Sequence, residues 1–534
     1  MNPDYLHILM FAAAFVALLS GYHVALTLGG IALLFAGLGI AFDVFEPRSL
    51  IFWPSRILGN MSNQVLAAVP LFVIMGVVLE KSRVAEDLLN ATGRLLAGVK
   101  GGLGYSVVLV GALLAASTGI VGATVVTMTL IALPSMLKQG YDKRIASGTI
   151  AAAGTLGQII PPSIVLIVLA DTISNANAEA NQAMGRPPSP VSAGDLFSGA
   201  LLPGLLLVGL YLAYLAVMAF WKPSSMPARS KTADADLGIE TPSKARTAFA
   251  FAAPLTLILA VLGSILGGFT SPTEAAAVGA IGAILLAGIR VRMDEANPGI
   301  LMQLSFAGAG SLILLILTVW ALKLGWVGGL EPDAPPSAFF TGSVIGKLYA
   351  FLICTAIAVG TAAAVFTLFL TKKLQTSLNG AAEITSMVFL ILICAGLFSI
   401  VFRGLGGDEF IEHMLVNIPG GLVGALVITM IIMFLMGFFL DFLEITFIIV
   451  PLVAPPLIML GADPVWLGVL MAMNLQTSFL TPPFGFALFY LKGAAPPEVD
   501  TPDIWRGALP FIGLQLIALL AVVFIPQLVT ALVK

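Results

Sequence analysis

Gly154-Thr155-Leu156-Gly157-Gln158-Ile159-Ile160-Pro161-Pro162-Ser163 lies inside a segment otherwise apolar enough to cross a membrane. A Pro-Pro pair cannot continue a regular helix there. Each proline lacks an N–H, so the carbonyls four residues back, on Gly157 and Gln158, lose their intrahelical partners. In lipid such carbonyls are tolerated only where they face protein, a polar cavity or a bound ion. A near copy returns at Asn474-Leu475-Gln476-Thr477-Ser478-Phe479-Leu480-Thr481-Pro482-Pro483, where the carbonyls of Ser478 and Phe479 are freed. Two broken membrane helices, one in each half of the chain, point to a secondary transporter with its site at mid-membrane.

The rest of the chain agrees. Hydrophobic residues make up 59% of the 534 and charged residues 10%, which excludes an ordinary soluble domain and requires a lipid bilayer. A net charge of −3 without a basic cluster argues against nucleic acid as a partner. Cys354 and Cys394 lie in apolar runs without CxxC or histidine partners and read as packed thiols. Met1-Asn2-Pro3-Asp4-Tyr5 has no basic n-region, so the first hydrophobic segment is expected to remain in the mature protein. His7, His23 and His413 form no HExxH or paired spacing, and neither a Walker loop nor GxSxG occurs. An enzyme and a nucleotide-driven pump are therefore disfavoured.

Apolar runs predict membrane helices at 64–80, 101–137, 143–171, 196–220, 248–266, 273–289, 300–327, 344–371, 383–402, 420–460, 464–491 and 507–532. Residues 6–41 are too long for one upright span and short for two, with Ser20-Gly21 as a candidate break. The runs 101–137 and 420–460 carry weakly helical residues near their middles, Ser117-Thr118-Gly119 in one and Asp441 with Glu444 in the other. Each is read as a re-entrant helical hairpin with a polar tip or as a full span.

Charge sets the orientation. Lys81, Arg83, Arg94 and Lys100 precede the first hairpin, and Lys138, Lys143 and Arg144 follow it, which puts its base in the cytoplasm. Asp408, Glu409, Glu412 and Asp463 flank the second, which puts its base outside. Residues 221–247 carry both signs and read as a cytoplasmic linker, while 172–194 and 328–343 suit the outer face. Shifting the chain by 321 places Pro134 on Pro455, Gly140 on Gly461 and Pro161-Pro162 on Pro482-Pro483. With opposite charge patterns, this internal repeat is expected to be inverted in the membrane.

Thr155 and Gln158 in the first break, and Asn474, Gln476, Thr477, Ser478 and Thr481 in the second, supply oxygens that suit a hard cation such as Na⁺ or a polar solute. Asp441 is costly in an apolar run. With Glu444 one turn on, it is either a coupling group or the cap of a hairpin tip. Glu274, in Thr270-Ser271-Pro272-Thr273-Glu274-Ala275, reads as a helix cap. Arg403, before Gly404-Leu405-Gly406-Gly407, is either an anion-binding residue or a membrane-boundary residue.

Several motifs together resemble the large membrane subunit of tripartite ATP-independent periplasmic (TRAP) transporters, over nearly the whole chain and in order. They are Gly101-Gly102-Leu103, Ser117-Thr118-Gly119 through Ala123-Thr124, Gly140-Tyr141-Asp142, Gly154-Thr155-Leu156-Gly157 with Ile160-Pro161-Pro162-Ser163, Asp195-Leu196-Phe197 with Pro203-Gly204, Thr273-Glu274-Ala275-Ala276, and Thr481-Pro482-Pro483-Phe484-Gly485. Within that family the chain is similar to the longer permeases labelled for mannitol or chloroaromatic compounds. The resemblance implies an all-α polytopic fold of the bacterial inner membrane, with two re-entrant hairpins, two broken helices and an elevator mechanism. It divides the chain into an N-terminal scaffold (1–100), a first hairpin and broken helix (101–171), a second scaffold section (172–419), a second hairpin and broken helix (420–492) and a C-terminal helix (493–534). It also implies Na⁺ as coupling ion without nucleotide, a small four-helix membrane subunit and a periplasmic solute-binding protein as partners, and an organic acid as solute. Carried over, one Na⁺ site involves Thr118, Gly119, Gly157, Ile160 and Pro162, the other Asp441, Ser478, Thr481 and Pro483. Arg403, Thr155, Gln158, Asn474 and Gln476 are the candidate solute contacts. Many relatives have serines after the tip glycine where this chain has Ile120 and Val121, which leaves more of the first site to backbone carbonyls. A self-sufficient two-hairpin symporter is the alternative within transport.

The charge asymmetry places Lys138, Lys143, Arg144 and residues 221–247 in the cytoplasm, with 172–194 and Asp463 outside. Cysteine labelling in intact cells checks this. A site at position 230 that reacts with an impermeant reagent from outside overturns the topology.

Overall fold

The computed structural model describes residues 5–118, 121–187, 189–228, 244–293, 299–324 and 337–533, and these contain helices and no strand. The helices are α1 (Leu6–Leu19), α2 (Val24–Ala41), α3 (Phe52–Ser62), α4 (Gln64–Lys81), α5 (Val84–Leu95), α6 (Gly102–Thr118), α7 (Val121–Lys138), α8 (Lys143–Thr155), α9 (Ile164–Ala183), α10 (Ala193–Trp221), α11 (Lys244–Leu266) and α12 (Pro272–Arg292). The chain continues with α13 (Gly299–Lys323), α14 (Ser337–Gly342), α15 (Val344–Leu370), α16 (Lys373–Gly404), α17 (Gly407–Val416), α18 (Gly421–Met436), α19 (Phe442–Ile448), α20 (Val450–Met459), α21 (Pro464–Leu480), α22 (Phe486–Ala494), α23 (Thr501–Phe524) and α24 (Gln527–Thr530). Among the described residues, ten helices are long and apolar enough to cross a membrane. The arms α6 and α18 and the broken helix α21 are apolar but shorter, as hairpins and interrupted spans require.

Local chemistry explains the boundaries. Residues 6–41 divide at Ser20-Gly21, where Gly21 takes the left-handed conformation (φ +81°) that ends α1. Ser271 and Glu274 form a reciprocal capping box at the start of α12, so Glu274 is a structural cap. The expected outer joint 172–194 is largely helical, because α9 runs on through Asn175 and Glu179 to Ala183. The expected helix 383–402 begins ten residues earlier, at Lys373. Residues 229–243 of the expected linker and 328–336 of the expected outer segment lie outside the described residues. Both cysteines are free, but Cys354 is exposed on α15 instead of packed.

The 321-residue repeat holds at the level of element boundaries. Val121 and Lys138, the ends of α7, fall on Phe442 and Met459, the ends of α19–α20, and the start of α8 at Lys143 falls on the start of α21 at Pro464. Asp142 and Asp463 each cap the helix that follows, accepting from Arg144 N and Trp466 N at 2.8 Å. Gly140 and Gly461 both have positive φ, and both Pro-Pro bonds are cis. One difference breaks the symmetry. α7 is continuous, whereas α19 and α20 meet at a 56° bend. Pro451 stands where the first copy has Leu130, and it leaves the Phe447 carbonyl without its helical donor.

Two groups of helices result. The hairpins (α6–α7 and α18–α20) and the broken helices (α8–α9 and α21–α22) pack with α10 and α23. Helices α2, α4, α12, α13, α15 and α16 pack mainly on one another. An Arg290–Asp87 ion pair fastens α12 to α5 beside them. Glycine permits the closest approach: a Cβ on Gly148 of α8 would stand 2.0 Å from the Gly507 carbonyl oxygen of α23. Small residues that bring backbones together are how helices associate without a hydrophobic driving force between them.

Gly148→Val is therefore expected to push α23 off α8 and destabilise the protein by about 1–3 kcal/mol. Gly513→Ala on α23, with open space around it, is the control and should be neutral. Thermal unfolding in detergent reads the difference; equal stability of the two variants contradicts the close crossing.

Candidate functional site

The first break starts where α8 passes into a 3-10 turn at Leu156–Gln158. Its two freed carbonyls part ways. Ser163 Oγ donates to the Gln158 carbonyl at 3.3 Å, while no donor among the described residues takes the Gly157 carbonyl. Gly204 lets α10 lie against Ile160 and cover the break. In the second break, Thr481 N donates to the Ser478 carbonyl at 3.0 Å, and Thr481 Oγ1 donates to the Thr477 carbonyl at 2.8 Å. Two further donors, one turn apart, fasten this broken helix to its hairpin. Asn474 Nδ2 reaches the Met430 carbonyl at 2.9 Å and Ser478 Oγ the Phe434 carbonyl at 2.6 Å. In the first half, Gly111 of α6 lies close against Ala153 of α8, the position repeat-related to Asn474.

The two breaks meet. Gln476 Nε2 donates to Thr155 Oγ1 at 3.4 Å, and these residues are 321 apart, repeat counterparts of each other. A residue touches its own counterpart only near a two-fold axis, so this bond marks the pseudo-symmetry axis of the molecule. Gln515 of α23 donates to the same Thr155 oxygen at 3.4 Å and to Tyr211 OH of α10 at 2.8 Å. All four side chains are almost fully buried. The Oε1 atoms of Gln158, Gln476 and Gln515 have no donor among the described residues. A buried acceptor without a donor costs about 1–3 kcal/mol, and of these three oxygens only that of Gln158 belongs to a residue lining a cavity.

Both hairpins reach this region. A cavity of about 110 Å³ is lined by Val121 and Gly122 of the first hairpin, Asp441 and Phe442 of the second, Gln158 of the first break, and Phe479, Phe486 and Tyr490 around the second. Val388 and its neighbours on α16 close it. Asp441 caps α19: its N–H donates to Glu444 Oε2 at 2.9 Å in a capping box, and Glu444 is buried. Asp441 thus holds the hairpin tip in shape and faces the cavity too. Tyr490 lies flat on the first hairpin, because a Cβ at Gly122 would stand 2.8 Å from its ring.

The sequence candidates therefore separate into groups. Gln158 and Asp441 share the cavity, with Gly157 in the same break. Thr155 and Gln476 sit on the axis, and Asn474 and Ser478 are engaged with the second hairpin. Ile160 and Pro162 lie within the first break, Thr481 and Pro483 within the second. Thr118 ends α6, and Gly119 lies outside the described residues. Arg403 stands apart, paired with Glu179 in a second pocket. Sequence reading passed over Tyr211, Gln515 and Tyr490. Gln515 carried a signal, as a lone amide in the apolar stretch 507–524.

Asn474→Ala and Ser478→Ala should each remove one hydrogen bond to the second hairpin, worth about 0.5–1.5 kcal/mol. Ala153→Ser, at the position repeat-related to Asn474, should gain nothing comparable. Thermal stability of the purified chain checks this, and no loss in either alanine variant would contradict the fastening role.

Comparison with known proteins gives the family. Residues 11–322 and 289–528 match the family described as the tripartite ATP-independent periplasmic transporter, DctM component. The C4-dicarboxylate TRAP transporter large permease protein DctM of Vibrio cholerae is 27% identical over 470 residues, 88% of this chain and 85% of that protein. The isethionate TRAP transporter permease protein DctMQ of Oleidesulfovibrio alaskensis is 24% identical over 87% of this chain, which spans 57% of that longer protein. Among solved structures, the YdaH transporter of Alcanivorax borkumensis superposes with a TM-score of 0.52 over 90% of both chains at 16% identity, a likeness of fold. The chain belongs to the DctM family of TRAP transporter large permeases.

Proposed function

We propose that this permease takes up a small organic acid by Na⁺-coupled secondary transport across the bacterial inner membrane. The observation that carries the reading is the cavity between the two hairpin tips, where Asp441 and the donor-free Gln158 oxygen face each other's repeat. Nearby, the Gly157 carbonyl has lost its donor to Pro161. Oxygen ligands of this kind fit Na⁺, which needs several donors and no fixed geometry. Gly157, with Ile160 and Pro162, would hold one ion through backbone carbonyls, and Asp441, Ser478 and Thr481 with Pro483 the other. Relatives named for C4-dicarboxylate and isethionate support a small organic anion as solute.

Movement follows the packing. The hairpins, broken helices, α10 and α23 would travel as one body past α4, α12, α13, α15 and α16, an elevator carrying the cavity between faces. A small four-helix membrane subunit and a periplasmic binding protein complete the system. The DctMQ relative supports the former, since its name joins two components and this chain spans 57% of it.

Proteoliposomes holding the permease with its small subunit, and loaded binding protein outside, should accumulate solute only under an inward Na⁺ gradient. Asp441→Asn is the sharper test, because asparagine caps a helix as well as aspartate. If Asp441 contacts the ion, the variant loses about 1.5–3 kcal/mol of charge-assisted interaction. Half-saturating Na⁺ then rises roughly tenfold or more. Unchanged Na⁺ dependence would leave Asp441 only its capping role. Full uptake in K⁺ alone would defeat the coupling, and full uptake without partners would defeat the tripartite arrangement.

A further inference from the structure

A second pocket of about 110 Å³ lies along the same seam as the inner cavity. α16 gives Val388 to the inner one and Leu392, Gly396, Ser399 and Arg403 to the second, a single face at three- and four-residue spacing. α9 repeats the pattern, with Val165 inside and Thr172, Ala176 and Glu179 further on. The second hairpin does so with Leu443, then Phe447 and Pro451. Arg403 stands about 22 Å along α16 from Val388 at 1.5 Å per residue. α9, α16 and the second hairpin thus line two chambers in series, the second towards the end of α9 away from its break.

Their chemistry is opposite. The inner cavity presents acceptors, Asp441 and the Gln158 oxygen, and no cation among the described residues lines it. The outer pocket holds two guanidinium groups, Arg56 and Arg403. Arg403 grips Glu179 with both Nη atoms, at 2.7 and 2.9 Å, and Nη2 also reaches the Pro451 carbonyl at 3.3 Å, at the bend of the second hairpin. Its buried Nε has no partner among the described residues. Arg56 reaches the Gly396 carbonyl at 3.5 Å, the margin of a hydrogen bond. The other acid of the pocket, Asp171, is held by Asn63 at 2.7 Å and Asn175 at 3.4 Å. Glu179 has no such second anchor among the described residues and is the more exposed member of its pair, 44% against 27%. Exposed pairs are typically worth about 0–1 kcal/mol, and two-pronged geometry puts this one towards the upper end. A second carboxylate can take the same two-pronged geometry on arginine.

We propose that the outer pocket is a receiving station for an organic anion: the solute's carboxylate displaces Glu179 from Arg403, with Arg56 as second cation, before the solute passes to the inner cavity. This rests on the reading of the seam as a solute path, but binding at the station needs no Na⁺. Arg403 would then also release its hold on α9 when solute arrives.

The test is saturation-transfer difference NMR with succinate at millimolar concentration, on the full chain in nanodiscs in sodium-free choline buffer. The wild type should give a weak signal. Glu179→Gln, which removes the competing carboxylate, should raise it at least threefold. Arg403→Gln should reduce it to background, Arg403→Lys should restore it in part, and Arg56→Gln should lower it. A Glu179→Gln signal no stronger than wild type overturns the proposal, and that arm stands even if an arginine variant fails to fold. So does a signal untouched by Arg403→Gln, or one that appears only with Na⁺. Because the signal is read without sodium, failure of Na⁺-driven uptake would leave it intact.

Discussion

A backbone carbonyl stripped of its N–H partner cannot be left facing lipid, and the architecture follows from meeting that requirement twice. Prolines at 161–162 and 482–483 strip carbonyls from two membrane helices at repeat-related places. The chain answers by surrounding both breaks with protein. Hairpins come in from each side, α10 lies over Ile160, and α23 crosses α8 at a pair of glycines. Ser163 and Thr481 cover some of the freed oxygens, and the Gly157 carbonyl remains for something else. Polar atoms gathered at the centre of an apolar body are the outcome, where a solute or ion can replace the missing donors.

Symmetry and its violation divide the labour. The Thr155–Gln476 contact places the two breaks on a common axis, and the ends of α7 and the start of α8 recur at the ends of α19–α20 and the start of α21. The halves are fastened differently, however. The first hairpin meets its broken helix through Gly111 and Ala153, the second through hydrogen bonds from Asn474 and Ser478. Only the second hairpin carries a bend and an acidic tip. These differences concentrate charge and an irregular backbone in one half. That half borders the outer pocket with Arg403 and Glu179.

Much of this was legible in the chain. Pro-Pro pairs, glycine turns and aspartate caps act through local backbone chemistry, so the breaks and the 321-residue register could be read from residue types alone, whereas the hairpins could equally be full spans until the family resemblance was added. Asp441 was visible because a carboxylate is costly in an apolar run, but whether it caps or coordinates depends on what faces it. Contacts between distant segments were not legible. Nothing local says that Gln515 meets Tyr211, that Tyr490 rests on Gly122, or that Arg403 finds Glu179 more than two hundred residues away. Arg403 looked like an anion site or a boundary residue, and only packing shows the carboxylate it holds. The extension of α9 to Ala183 was missed because its polar second half reads as a loop until one sees which face of it is buried.

The proposed transport account stands on the hairpins and broken helices moving as one body past the α12–α16 scaffold. Spin-label distances test this most directly, in a chain whose Cys354 and Cys394 are replaced. One pair joins exposed positions 352 on α15 and 517 on α23, across the proposed boundary; the other joins 517 to exposed position 130 on α7, within the moving body. The account predicts two distances for 352–517 whose proportions shift with Na⁺, and one unchanging distance for 517–130. A single 352–517 distance under all conditions, or matching changes in both pairs, would contradict it.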